Sequence, residues 1–384
     1  MKIEDNSNCT GCSACYSACP KSAITMFQNQ EGFLYPKINK EICINCGKCE
    51  IICPLLSNKR ATGNESICYA FKNEDDIIRT HSSSGGFFTT IAKTFIDKKG
   101  VVFASHFTEN LQLKIDEFDD YEQIFPFTGS KYVQSVVGES YRKCKEYLDK
   151  NVKVLFVGTI CQIVGLKSFL GKYYENLYTV DIICHGVPSS NLLASYLDYE
   201  GKKYGNVPIK DIRFRQKEKG WSNYSVSIIY ENGEKKSEVF YNNKFMNLFL
   251  NDVCLRESCY DCLAKKEDRQ SDFTIGDFWG IKKISNDFYD EKGISLVFVN
   301  SQKGKNLFSE FENCSFIPVD LNVGKSCSTG MLRSARRPSL RENFYIDLEE
   351  QGFEWVFKRY GIKNYSKKIV QKLKNIVRGL FKVN

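Results

Sequence analysis

Beyond residue 65 the chain alternates short apolar runs with segments whose apolar residues recur every three or four positions. The runs predict β-strands and the segments predict helices, because side chains repeat every two residues along a strand and about every 3.6 around a helix. Asn232-Gly233, inside a short polar stretch, predicts a hairpin turn. This alternation indicates a mixed α/β body, within an α+β chain as a whole. The predicted strands are 100–107, 153–158, 178–184, 225–230, 273–280 and 294–300, and the predicted helices are 85–99, 140–150 and 160–171.

The first 60 residues have a different pattern, in which two cysteine runs share the spacing C-x2-C-x2-C-x3-C-P. Three thiolates this close can hold three corners of a 4Fe-4S cluster, while the fourth cysteine of each run serves the other cluster. We expect that fourth cysteine to start a helix, and the apolar segments 23–27 and 33–38 predict short strands. Gly11 and Gly47 suit cramped loops. The predicted ligand sets are Cys9, Cys12, Cys15 and Cys53 for one cluster, and Cys43, Cys46, Cys49 and Cys19 for the other.

Composition favours metal or redox chemistry over disulfides. The chain has 384 residues, 42% of them hydrophobic, which is enough for two or three domains with cores. The first residues lack the apolar core of a signal peptide, and no apolar run reaches about eighteen residues, so we expect a cytoplasmic protein. Its seventeen cysteines would stay reduced there. A zinc-binding module is the alternative for the cysteine runs, although zinc sites use two separated cysteine pairs.

Four further cysteines lie where an α/β body places its chemistry. Cys161 and Cys184 follow predicted strands, and ligands bind outside the carboxyl ends of such strands. Cys259 and Cys262 form a C-x2-C pair on a predicted loop. Together these thiols could hold one further cluster. A zinc site is the alternative, and a thioredoxin-like pair is less favoured because no strand leads into it. We expect core packing for the rest, and Cys254 would replace Cys161 if that ligand failed; the remaining cysteines are Cys68, Cys144, Cys254, Cys314 and Cys327.

A turn rich in serine and glycine precedes the first predicted helix of the body. Its free amides, with Gly85 and Gly86 permitting close approach, could cradle a pyrophosphate beside Ser82 and Ser84. An ordinary serine cap of the helix is the alternative. Lys131 could lie near a phosphate or an anionic flavin ring, or it could be a solvated surface lysine.

Seven segments in this order resemble the beta-subunit family of coenzyme F-420 hydrogenase and dehydrogenase: SSSGGFF, GSKYVQS, GTICQIVGLKSFLG, DIICHGVPS, KGWSNYS, CLRESCYDC and SDFTIGDFWGI. The resemblance covers about residues 65–315, and residues 1–60 resemble a bacterial two-cluster ferredoxin. It implies an FAD-containing iron–sulfur protein that exchanges electrons with a two-electron substrate. By resemblance, the third cluster is held by Cys161, Cys184, Cys259 and Cys262, and FAD contacts come from Ser82, Ser84, Gly85, Gly86 and Lys131.

Two departures from the family pattern leave the substrate open. Ile160 stands where the family usually has proline, and the segment FASHF puts a bulky His106 near a possible flavin wall. His185 is a candidate proton donor, with a hydrogen-bonded structural histidine as the alternative. Asp277 and Trp279 are candidates for the cofactor wall, with core packing as the alternative.

The expected function is electron transfer from a ferredoxin or another one-electron donor, through the clusters and FAD, to an organic acceptor. That acceptor could be a deazaflavin or a substrate of polysaccharide biosynthesis. The alternative is an electron-transfer subunit of a larger complex with no substrate site of its own. We expect no nucleic-acid partner.

The last residues form a basic segment, which we interpret as a fourth region. Residues 361–384 carry seven Lys and Arg and no acid, against a net charge of +8 for the chain. Apolar residues at steps of three and four predict an amphipathic helix that could attach to the inner face of an anionic membrane. A helix docked on its own domain, or a dock for an acidic ferredoxin, would explain the same pattern. The predicted regions are 1–60, 65–150, 151–345 and 361–384.

Overall fold

A mixed eight-stranded sheet forms the centre of the body, and a small cysteine-rich leader lies against it. The structure is a computed structural model and describes residues 3–4, 7–56, 66–265 and 269–361. The strands are β1 Ile24–Gln28, β2 Leu34–Ile38, β3 Ile67–Asn73, β4 Val101–Phe107, β5 Leu113–Phe118, β6 Val154–Thr159, β7 Leu177–Ile182, β8 Ile209–Gln216, β9 Ser225–Tyr230, β10 Lys235–Val239, β11 Phe273–Asp277, β12 Ser295–Val299 and β13 Cys314–Val319.

Helices cover the sheet and complete the leader. They are α1 Ala14–Ala18, α2 Lys48–Ile52, α3 Asp76–His81, α4 Phe87–Asp97, α5 Ser140–Asp149, α6 Ile160–Leu170, α7 Ser190–Lys203, α8 Lys244–Leu250, α9 Gln302–Phe308, α10 Leu321–Cys327, α11 Arg341–Gln351 and α12 Phe353–Val356. Short 3-10 turns lie at Tyr121–Gln123, Phe125–Phe127, Glu257–Cys259, Ile281–Lys283 and Thr329–Met331, and a π-turn lies at Phe357–Gly361.

The strand order of the large sheet is β13-β3-β12-β11-β7-β6-β4-β5. The neighbours β11-β7, β7-β6 and β6-β4 are parallel, so these four strands end at one edge, which we call the carboxyl edge. β12 runs antiparallel to β11 and therefore begins at the same edge. Strands from residues 65–150 and from residues 151–345 are neighbours here, so the two predicted body regions share one sheet.

The parallel strands are buried on both faces, as their nearly continuous apolar runs require. On one face α4 and α9 pack through residues such as Phe87, Ile91 and Phe308. On the other face α5 and α6 pack through residues such as Tyr141 and Leu166. All six predicted strands and all three predicted helices form, which confirms the mixed α/β body.

A smaller sheet, β10-β9-β8, lies beside the large one. The predicted hairpin turn connects β9 and β10, and Gly233 takes a φ of +84° there. This sheet packs with α7, α8, α11 and α12 around buried aromatic residues such as Phe214 and Phe245.

The leader is an antiparallel hairpin, β1 with β2, below two five-residue helices. The predicted positions of Cys19 and Cys53 relative to the helices were wrong. Each follows the end of its helix in an extended conformation, because α1 and α2 begin one residue before the third cysteine of each run and span only five residues. A salt bridge from Glu31 in the hairpin to the buried Arg341 helps hold the leader on the body.

The predicted basic helix at 361–384 lies outside the described residues apart from Gly361. Within the described ranges, no helix combines the length and the apolar character needed to cross a membrane.

Candidate redox site

Two pockets in the leader each collect one of the predicted cysteine sets. The first, which we call the proximal pocket, is lined by Cys9, Cys12, Cys15 and Cys53. The second, the distal pocket, is lined by Cys19, Cys43, Cys46 and Cys49. The fourth cysteine of each run therefore reaches the other pocket, as the spacing predicts. Tight turns build these loops, since Gly11 and Gly47 have φ values of +67° and +69°.

A third pocket, the body pocket, lies at the carboxyl edge. Its lining includes all four predicted body cysteines, Cys161, Cys184, Cys259 and Cys262. Cys161 lies in the first turn of α6, directly after β6, and Cys184 lies just after β7. The thiols line the walls of this pocket. Among the residues that the structure describes, no group of three or more His, Cys, Asp or Glu side chains is arranged to hold a single metal ion.

Local hydrogen bonds position the body cysteines. Thr159 and Gln162 form a reciprocal capping box at the start of α6, which places Cys161 in its first turn. Cys259 ends a 3-10 turn and donates its backbone N–H to the Arg256 carbonyl at 2.9 Å. The Cys262 amide donates to Ser334 Oγ at 2.9 Å. Four sulfur donors on anchored backbone fit a 4Fe-4S cluster by the chemistry of the donor set.

The proximal and body pockets share a wall. Thr10 and Gly11 line both of them. Gly165 in α6 packs against Cys12 so closely that an added Cβ would lie 2.9 Å from Cys12 Cβ and 3.0 Å from its Sγ. The leader cysteine can approach the body pocket because this helix position has no side chain.

Arg256 links the two pockets and was not identified from the sequence. Its guanidinium is buried, donates to the carbonyl oxygens of Cys9 at 2.8 Å and Leu34 at 2.9 Å, and donates to Gln134 Oε1 at 3.0 Å. It also lies 4.1 Å from the Tyr35 ring centroid. A cation that satisfies two leader carbonyls from the body fixes the separation between the pockets. The only sequence signal was a charged residue between Cys254 and Cys259.

Burial keeps four of the pocket thiols neutral in the protein alone. It raises the pKa of Cys12, Cys161, Cys184 and Cys259 to about 12. Because thiolates are the metal-binding form, loading these sites must release protons, and the bound metal must compensate for burying charge.

His185 lies on the wall of the body pocket, next to Cys184. Its Nε2 is hydrogen-bonded to Asp252 Oδ1, and its ring packs edge-on against Phe249. Because the side chain is about 42% exposed, it combines a carboxylate partner with contact to solvent. This arrangement is compatible with a proton donor. That role of His185 stays a prediction.

The serine-glycine turn lies at the same edge, but its polar groups are occupied by the protein. Ser84 Oγ donates to the Ile294 carbonyl at 2.6 Å, and Ser82 Oγ donates to the Ile78 carbonyl at 2.7 Å. A side chain at Gly85 would collide with the Phe71 carbonyl, and Gly86 has a φ of +91° at the start of α4. These contacts explain the turn residues as supports of the sheet, and their contact with FAD stays a prediction.

Asp277 at the end of β11 belongs to a charged and aromatic cluster. It accepts hydrogen bonds from the buried Arg215 at 3.0 Å and from Trp221 Nε1 at 3.3 Å. Trp279 stacks on Trp221 with ring centroids 4.6 Å apart, yet it remains 49% exposed. Arg215 also donates to the Ser83 carbonyl at 3.3 Å, which brings the predicted turn and Asp277 together.

The sequence did not identify two cations of this cluster. Arg215 lies on β8, and Lys217 directly follows that strand. Arg215 Nε is buried without a hydrogen-bond partner among the described residues. Lys217 Nζ donates to the carbonyls of Arg79, Ser84 and Lys292, and burial lowers its pKa to about 7. An orphaned guanidinium N–H beside an exposed indole fits a planar anionic cofactor.

Two other predicted residues, Lys131 and His106, have their hydrogen-bond partners outside this cluster. Lys131 Nζ donates to the carbonyls of Phe127, Thr128 and Gly129, and burial lowers its pKa to about 7. His106 is hydrogen-bonded to Asp116 Oδ2 at 2.8 Å and packs on Phe127. Of the cysteines predicted to pack in the core, Cys68, Cys144 and Cys254 are buried, whereas Cys314 and Cys327 are partly exposed.

Comparison with known proteins agrees with this arrangement. Residues 8–55 match the 4Fe-4S dicluster domain, and residues 151–320 match the family described as the C terminus of the coenzyme F420 hydrogenase/dehydrogenase beta subunit. Among solved structures, a xenon derivative of the F420-reducing [NiFe] hydrogenase complex from Methanosarcina barkeri is 16% identical, with a TM-score of 0.46; the match covers 69% of this chain and 88% of that chain. No curated protein matches the chain. These two matches confirm the resemblance: residues 8–55 match a 4Fe-4S dicluster domain, and residues 151–320 are similar to the C terminus of the coenzyme F420 hydrogenase/dehydrogenase beta subunit.

Proposed function

We propose that this protein is an iron–sulfur flavoprotein that moves electrons between a one-electron carrier and a two-electron organic acceptor. The observation that carries the proposal is the alignment of three four-cysteine pockets, in the order distal, proximal and body, with the last two sharing Thr10 and Gly11. The resident groups would be three 4Fe-4S clusters, each carrying one electron, and an FAD that couples single electrons to two-electron chemistry.

The chain's own residues supply position and exclusion of water. Gly165 lets the leader approach α6, and Arg256 holds the Cys9 loop at a fixed place against the body. The thiols of the proximal and body pockets are at most partly exposed, so charge placed there is stabilised by the protein more than by bulk water. This arrangement would keep the separation of the sites constant during repeated electron transfer.

For the flavin, we assign the cluster around Asp277 in place of the serine-glycine turn alone. Arg215 would provide positive charge, and the exposed face of Trp279 would support a flat ring. His185 would hold or release a proton at Nε2, and its hydrogen bond to Asp252 would orient the ring.

Metal content tests the three cysteine sets. Full-length protein reconstituted with iron and sulfide should hold about twelve irons per chain, and Cys161→Ala or Cys259→Ala should hold about eight. Cys144→Ala is the matched control, because Cys144 is buried in the core between α5 and the sheet. A wild-type value near eight, or an equal loss in the control, would remove the body site.

Flavin binding tests the second half of the proposal. Arg215→Gln should lose most of the bound flavin and keep the iron of the wild type. In Cys161→Ala, flavin should remain bound, but ferredoxin charged by dithionite should no longer reduce it. If the wild-type chain retains iron and never binds flavin, the alternative of an electron-transfer subunit without its own substrate site is the correct one.

A further inference from the structure

The distal pocket opens on a surface of unusual composition, which we call the distal face. Its residues from the pocket lining are Lys21, Ile44, Cys46 and Lys48, and Ile42 directly precedes Cys43 of the same lining. Ile42 and Ile44 are 47% and 56% exposed, and Cys46 is exposed. Exposed β-branched residues grouped around a site mark an interaction surface more often than isolated ones do.

The other end of the leader is already covered by the body. The hydrogen bonds that fasten leader to body involve the hairpin, α1 and residues next to the proximal pocket, such as Leu34, Ser17 and Cys9. The distal pocket therefore lies on the side of the leader that a partner can reach. A protein that exchanges electrons with the chain comes nearest to a redox site at this face.

Charge indicates the kind of partner. Lys21 and Lys48 line the distal pocket together with the exposed Ile44, and that lining contains no carboxylate. Lys40, shortly before Cys43 in the chain, is also exposed. The nearby acidic residues are Glu41, which is exposed, and Glu50, which is partly buried. The face thus combines an apolar centre with a positive rim, which complements an acidic surface of similar size.

We propose that the distal face is the docking site of an acidic one-electron carrier protein. This proposal rests on the proposed function and names the partner of its entry site. In each encounter one electron leaves the carrier's reduced centre and enters the chain at the distal site, with no bond made or broken and no proton moved. Lysines steer the encounter, and the isoleucines exclude water from a small, short-lived interface.

Binding of two oxidised proteins tests the dock without any turnover. The probe is an acidic plant-type 2Fe-2S ferredoxin, titrated into full-length, iron-loaded protein at low salt. Lys21→Glu/Lys48→Glu should raise Kd by about tenfold or more, and Ile44→Asn should raise it about threefold. The control Lys202→Glu/Lys210→Glu makes the same change in net charge at exposed sites of the body and should leave Kd within about twofold.

Stopped-flow transfer from the reduced ferredoxin should show the same ranking, and high salt should remove the difference between the two double variants. An equal change in both double variants would overturn the proposal, because net charge alone would then explain it. Self-association of the wild type that Ile44→Asn abolishes would also overturn it, since the face would bind a second copy. Direct reduction by dithionite in every variant shows that the iron sites are intact, so a failure of docking is distinguished from a failure of the proposed function, which the iron and flavin measurements test.

Discussion

The leader and the body build sites of the same composition in opposite ways. In the leader, three of four thiols of each set come from seven consecutive residues, and the small apolar core of Ile3, Ile24, Ile38 and Cys49 is packed against further cysteines. In the body, the thiols come from three separate segments held by an extensive core. We therefore expect the leader to depend on its metal to fold and the body to form its pocket without metal.

Removing iron is the strongest way to test that difference. After anaerobic chelation, amides of the leader should exchange with deuterium at least about a hundredfold faster, because its core is too small to persist alone. Amides of β6 and β7 should keep their protection. Hydrogen-exchange mass spectrometry of the full chain measures both. Equal protection of leader and β6 after chelation would show that the leader does not need its metal.

Arg256 is the next place to separate the regions. Arg256→Met leaves the Cys9 and Leu34 carbonyls buried without their donor and should cost about 2–5 kcal/mol of docking free energy. The matched control is Arg142→Met, which also removes a donor to two leader carbonyls, those of Tyr16 and Ser17, but at a partly exposed site. Its cost should be about 1 kcal/mol. Denaturant unfolding, followed by cluster absorbance, compares the two variants. Similar costs would show that Arg256 contributes no more than Arg142 to holding the leader on the body.

The smallest effect concerns two glycines within helices. Gly165→Ala places a Cβ against Cys12 and should destabilise the docked leader by about 1–3 kcal/mol. Gly201→Ala in α7 meets only ordinary contact, 3.5 Å from the Val207 carbonyl, and should stabilise the protein by about 0.5–1 kcal/mol. The two thermal midpoints should therefore move in opposite directions. If both thermal midpoints shifted in the same direction, α6 would accommodate the added Cβ beside Cys12 without a steric cost.

The comparison also explains what the sequence could predict. Local spacing determines which thiols of the leader meet, so both crossed sets were predicted correctly as neighbours. The parallel strands were predicted because burial on both faces produces continuous apolar runs. The placement of Cys161 and Cys184 followed from their positions after two such strands.

Strands at the edges of the sheets escaped prediction for a physical reason. β8 and β10 carry lysines and arginines on their exposed faces, and β13 contains Pro318, which is tolerated on an edge strand. Arg215 and Arg256 were missed because their partners lie at least 62 residues away in the chain, at Asp277 and in the leader. No local spacing could record such contacts.

Gly11 limits which other ferredoxin domains could replace the leader. A side chain there would meet Gln134 Nε2 at 2.6 Å, the Leu34 carbonyl at 2.9 Å and Arg256 at 3.2 Å. A foreign ferredoxin with the correct cysteine spacing but a larger residue at this position would bind its own iron and still fail to seat on the body. Interchangeability of such modules is thus decided by one residue between two ligands, and the first alteration to make in any chimera is to restore glycine at that position.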